Sequence, residues 1–95
     1  MPEISQLKIY TARKPKPEPR FIYARVEHKG KTYTVKIVLH TWDGNITPIY
    51  WLCKCGWDKE DEMCPHTLKT WEDARRKLEE MGFKVVEPAE LSKQP

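Results

Sequence analysis

Trp51-Leu52-Cys53-Lys54-Cys55-Gly56, followed after a polar stretch by Met63-Cys64-Pro65-His66-Thr67, is the part of the chain on which its fold turns. Alternate residues of an extended strand point to one side, so Cys53 and Cys55 present two sulfurs to the same point. The residues from Gly56 to Met63, eight in all, allow the chain to return. Cys64 and His66 then arrive where a helix begins, a place that accepts Pro65 in its first turn. Three thiolates and one imidazole form a closed tetrahedral set for one structural Zn²⁺ and leave no coordination position for a substrate. The helix N-terminus and the metal both favour the thiolate of Cys64. A disulfide framework would strand one of the three cysteines. In a reducing compartment clustered thiols hold metal, and the Cys-x-x-Cys spacing of a redox pair is absent.

A staple of this kind is expected on size alone. The chain has 95 residues, eight of them proline. So small a domain buries a low fraction of its surface and leans on metals or disulfides. No apolar run approaches the ~18 residues of a membrane span. The opening Met-Pro-Glu-Ile-Ser-Gln has neither the basic start nor the apolar stretch of a signal peptide, so an intracellular, cytoplasmic protein is expected. Charged residues make up 33% of the chain, with Lys and Glu prominent, which suits a thermophile.

Upstream of the cysteines the pattern is that of strands. Phe21 to His28 alternates with Ile22, Ala24 and Val26 on one side; Lys31 to Trp42 alternates with Tyr33, Val35, Ile37 and Leu39 on one face. Lys29-Gly30 between them reads as a hairpin turn, Gly30 being free to take positive φ. Asp43-Gly44-Asn45 is a second turn signal, and Ile46 to Cys55 a third strand, with Pro48 near its start or on an edge. Residues 4–12, with Leu7, Ile9 and Ala12, form a short strand candidate. Arg13-Lys-Pro-Lys-Pro-Glu-Pro-Arg20 follows as an extended linker or basic arm.

Downstream, Leu68, Trp71, Arg75 and Leu78 fall at helical spacing beside Ala74 and Met81. Thr70 with Asp73 is a capping pattern that places the regular start at Trp71. Gly82 ends the helix, and Phe83 to Glu87 reads as a last strand. The expected architecture is a single α+β domain: a small antiparallel sheet, one helix and a zinc knuckle. Residues 1–20 would be an N-terminal strand and Pro-rich arm, 21–87 the zinc-binding domain, and 88–95 a loose tail.

The order Cys-x-Cys, gap, Cys-x-His resembles the SWIM zinc finger family over roughly residues 33–78. The resemblance implies a ββα-type zinc module that binds DNA or other proteins, with Cys53, Cys55, Cys64 and His66 as its ligands. It departs from the family where a basic residue commonly separates the last two ligands: here that residue is Pro65. One phosphate contact is thereby missing.

Charge is uneven along the chain. Residues 1–40 carry nine Lys/Arg against three Asp/Glu, and residues 41–95 eight against eleven. A basic half suits an acidic partner, of which nucleic acid is the usual one. Arg13, Lys14, Lys16 and Arg20 have only Glu18 among them and are the first candidates for contacts, with Arg25, Lys29, Lys31 and Lys36 of the hairpin. Lys54 either offsets the negative charge of the metal site or is simply solvated. Trp57 in the zinc loop and Trp42 beside Asp43 either stack on bases or cap the core edges. Trp51 shares parity with Cys53 and belongs against the zinc and the helix, and Trp71 belongs to the core. Arg75, Arg76 and Lys77 pair with helix neighbours, Glu72 with Arg76 and Asp73 with Lys77. His28 and His40 read as ordinary surface residues. With no paired carboxylates in an acid–base or metal setting, an enzyme is not expected, nor is a small-molecule substrate. The reading is a non-enzymatic module that binds DNA or RNA, the alternative being a protein-interaction adaptor.

Overall fold

Both turns named from the sequence close two-residue hairpins in the computed structural model, which describes residues 3–12, 18–56 and 63–86. Strand β2 (Glu18–His28) turns through Lys29-Gly30 into β3 (Lys31–Trp42), which turns through Asp43-Gly44 into β4 (Asn45–Cys53). The central residues take φ of 52 and 76° in the first turn and 47 and 79° in the second. Positive φ at both positions is a type I′ turn, whose twist matches that of the strands it joins. Strand β1 (Glu3–Ala12) pairs antiparallel with β2 along its whole length, with irregularities between Ile4 and Gln6 and between Tyr10 and Thr11.

After β4 come α1 (Pro65–Glu80) and then β5 (Lys84–Val85), which lies beside β4 and parallel to it. The sheet is therefore five-stranded and mixed, ordered β1-β2-β3-β4-β5 and curled into a half-barrel. This corrects the expectation of a small antiparallel ββα-type module. Tight hairpins force antiparallel neighbours, whereas a parallel neighbour needs a crossover long enough to carry the chain back, which α1 supplies. The helix is held inside the curl and packs against all five strands.

The alternation of β2 and β3 sets the core. Ile22, Ala24, Val26, Val35, Ile37 and Leu39 are buried, and Ile46, Trp71, Ala74 and Leu78 complete the cluster. Cross-strand register pairs Ile22 with Ile37 and Ala24 with Val35, so the two strands offer one apolar face to the helix. Pro48 sits not at the start of β4 but at a bulge, where Val38 faces Tyr50 and Leu39 faces Pro48. There β4 has already run past its pairing with β5 at Asn45 and Ile46. An edge and a bulge are the two places where a strand tolerates a missing N–H.

The helix begins earlier than its Thr70–Asp73 signal indicated. Its N-cap is Cys64, and Thr70 is buried mid-helix, its Oγ1 donating to the His66 carbonyl at 2.9 Å. The stripe facing the sheet is His66, Thr67, Thr70, Trp71, Ala74 and Leu78. Leu68 and Met81, expected on that face, are 46% and 50% exposed. The inward stripe runs from His66 and Thr67 through Thr70 and Trp71 to Ala74 and Leu78, at helical spacing, which leaves Leu68 to one side. At the other end Gly82 takes φ 97°. Its N–H donates to the Glu79 carbonyl and that of Phe83 to the Leu78 carbonyl, at 3.0 and 3.2 Å, which is a Schellman closure.

Candidate metal centre

Cys53 is the last residue of β4 and lies opposite Val35, on the inner face. Cys55 lies two residues on, with Gly56 at φ 82° turning the chain away. Cys64 and His66 come from the first turn of α1. The ligand atoms of Cys53, Cys55, Cys64 and His66 all lie within 4.8 Å of one another. His66 Nδ1 is 3.8 Å from Cys53 Sγ and 3.9 Å from Cys64 Sγ. Around tetrahedral zinc, with bonds of about 2.3 Å to sulfur and 2.0–2.1 Å to nitrogen, the S···N separation is about 3.6 Å. The two His66–sulfur distances thus lie within a few tenths of an ångström of those around zinc, and all three cysteines are free thiols.

Cys64 has two duties. Its backbone, at φ −67° and ψ 165°, has the extended geometry of an N-cap. Its sulfur accepts from the Thr67 N–H at 3.4 Å and contacts Thr67 Oγ1 at 3.2 Å. Burial alone would raise this thiol, but the two Thr67 donors outweigh it and the pKa falls below the ordinary cysteine value. Cys53 is pushed strongly upward, first by burial and then by the sulfurs of Cys64 and Cys55. Cys64 is thus more readily ionised than an ordinary thiol and Cys53 less readily. A divalent ion favours both thiolates by binding them directly.

His66 is 6% exposed and divides its two nitrogens between two neighbours. Nδ1 faces the sulfurs and Nε2 lies 2.9 Å from His28 Nδ1. Ligation through Nδ1 assigns the ring proton to Nε2, which then donates to His28. The Tyr33 ring stacks on the imidazole at 4.2 Å between centroids. Burial, and secondly His28, hold His66 below the ordinary imidazole value, in the neutral form a ligand requires. His28 is therefore no ordinary surface residue but the partner that orients a ligand. Its strand position next to the hairpin turn carried no such signal, because the contact spans 38 residues. His40, exposed, stacks on Trp42 at 5.4 Å and stands apart from the cluster.

The basic residues singled out from the sequence scatter over several places. Arg13, Lys14, Lys16 and Trp57 lie outside the described residues. Arg20 is 3.7 Å from Glu18. Lys29 and Lys31 are exposed at the tip of the first hairpin, and Lys54 is exposed between the first two ligands. Arg25 and Lys36 stand on the outer face of the sheet, since their neighbours Ala24, Val26, Val35 and Ile37 are the buried ones. Helix pairing takes different partners from those expected: Lys69 with Asp73, Arg75 with Glu79, and Arg76 with Asp73 across one turn. Trp51 packs half-buried against the core and Trp71 is buried, as their parity required.

Comparison with protein families, with characterised proteins and with solved structures gives no match. The likeness to SWIM modules accordingly rests on the four ligands and their order, and does not extend to the half-barrel around them.

Proposed function

We propose that this chain is a non-enzymatic binding module for nucleic acid, held in shape by one structural zinc ion. The Cys₃His cluster supplies the structural part: four protein donors fill a tetrahedron and leave no position at which a substrate could enter. The observation that carries the binding part is the charge of the outer sheet face. Lys8, Arg25 and Lys36 stand on three adjacent strands, in register rows that contain no acidic residue. Cations held on a rigid sheet attract a phosphate backbone and release its counterions. Arg13, Lys14, Lys16 and Arg20 would extend that attraction, with Lys29, Lys31 and Lys54 at the margins.

The test is titration of the zinc-loaded chain with labelled oligonucleotides at stepped salt. Affinity should fall as salt rises, by about one power of the salt concentration per phosphate contact. A protein-adaptor role is favoured by one feature, the exposed Ile49, Tyr50 and Leu52 where β4 has run past β5. Failure to bind any oligonucleotide at low salt would make that role the better reading. No described helix is long and apolar enough to cross a membrane.

A further inference from the structure

The outer sheet face carries more than charge. Register places Tyr10 beside Phe21, and Phe21 beside Val38, which faces Tyr50. In the next row Lys8 faces Tyr23, Tyr23 faces Lys36, and Lys36 faces Leu52. Gln6, Arg25 and Thr34 form the row after that. Tyr10 and Phe21 stack at 5.0 Å with 29° between their planes, and Tyr23 meets both edge-on at 5.4 Å. The Lys36 ammonium stands 5.3 Å from the Phe21 centroid and 5.5 Å from that of Tyr23. Tyr10 is 43% exposed, and the helix lies on the opposite side of the sheet, against the buried residues. Lys8, Arg25 and Lys36 make no ion pair with another described residue. A depression of about 270 Å³ beside Tyr23 is lined by Gln6, Lys8, Tyr10, Arg25 and Thr34 among others. Among the described residues of the β1–β2 ladder, acidic groups stand at its two ends, where Glu3 pairs with Glu27 and Glu18 pairs with Ala12.

Resting on the nucleic-acid reading above, we infer that this face is a stacking platform for single-stranded nucleic acid. Bases lie on Tyr10, Phe21 and Tyr23, and Lys8, Arg25 and Lys36 take the flanking phosphates. Three exposed or half-exposed rings within stacking distance of one another, framed by three cations with no acidic partner among the described residues, match a polyanion that also carries flat aromatic groups. A duplex fits less well, because its bases are already stacked on one another and present only edges and phosphates. An acidic peptide would use the cations but not the ring faces. The polar Gln6 and Thr34 reach the depression and can bond base edges, and a ring face accepts any base, so sequence preference should be weak.

The experiment compares a 12-mer of thymidylate, a 12-mer of uridylate and a mixed-sequence duplex, each titrated with the zinc-loaded full chain at the same low salt. The single strands should bind more tightly than the duplex. Tyr10→Leu should weaken single-strand binding about tenfold, the size of one lost stacking contact. Tyr10→Phe, which keeps the ring, should bind within about twofold of wild type. Phe21→Leu should repeat the loss, read alongside zinc content and melting temperature to confirm the fold. Lys8→Ala and Lys36→Ala should lower binding to all three ligands and flatten the salt dependence by about one power each. If Tyr10→Leu and Phe21→Leu leave single-strand binding unchanged while the lysine variants weaken it, the platform is overturned and the nucleic-acid reading survives. If no oligonucleotide binds, both fall.

Discussion

His28 has the most specific assignment at the scale of a single residue. Outer partners of metal-bound histidines fix the ring orientation and tautomer, and removing them typically costs 10–100-fold in metal affinity. His28→Ala should therefore weaken zinc binding by about tenfold or more in competition with a chelator. A variant that competes as well as wild type would reduce the 2.9 Å contact to packing. The thiols set a pH dependence whose sign follows from their environments. Burial raises Cys53, so it carries its proton through the neutral range and must release it to bind metal. Cys64, lowered by the Thr67 donors, has less to release. Apparent zinc affinity should accordingly rise with pH, Cys53 alone contributing about one power of ten per pH unit between 6 and 8. Chelator competition at those pH values measures it, and a flat profile would mean that the cysteines are not the ligands.

The first turn of α1 and the candidate metal site share one atom, the Cys64 sulfur. Two substitutions separate its roles at the scale of the element. Cys64→Ser removes the ligand but keeps a side chain that caps well, whereas Cys64→Ala removes both. Both variants should lose zinc. In the presence of chelator Cys64→Ala should be the less stable by about 0.5–2 kcal/mol, the range for a lost N-cap. Equal melting temperatures would show that the cap has no weight without the metal. The opposite end of the helix depends on Gly82, whose φ of 97° is strained for any other residue. Gly82→Ala should destabilise the protein by about 1 kcal/mol or more in denaturant titration, with zinc still bound.

The whole molecule is not built in the way of a zinc knuckle that unfolds without its ion. Ile22, Val26, Val35, Ile37, Ile46 and Leu78 are completely buried, and most of that core lies in β2 and β3; the cysteines meet it at one end, where Cys53 faces Val35. Removing zinc should therefore loosen the protein locally. Amide exchange in chelator should speed up at residues 53–56 and 63–68, while β1 to β3 retain protection. Global loss of protection would show that the ion holds the entire half-barrel. Leu78→Ala, by contrast, opens a cavity between helix and sheet and should cost about 2–5 kcal/mol even with zinc bound.

Several features were legible because they depend on neighbours along the chain. The Cys53, Cys55, Cys64 and His66 quartet, the positions of the two turns, the buried faces of β2 and β3 and the inward parity of Trp51 with Cys53 all follow from strand period, turn sterics and chelate spacing. The reading of Cys64-Pro65-His66 as a helix start agrees with the structure, whereas the Thr70–Asp73 capping pattern pointed to a start too far along, because Thr70 bonds back to the His66 carbonyl within the helix. Tertiary structure alone decided the remainder. β5 lies parallel to β4 because of the path taken by the crossover helix, and that helix packs against all five strands of the curled sheet. The same long-range packing brings His28 to His66 and Tyr10 to Phe21. Such pairs are set by strand register and curvature, which come from the sum of distant contacts. No single stretch of the sequence carries that sum.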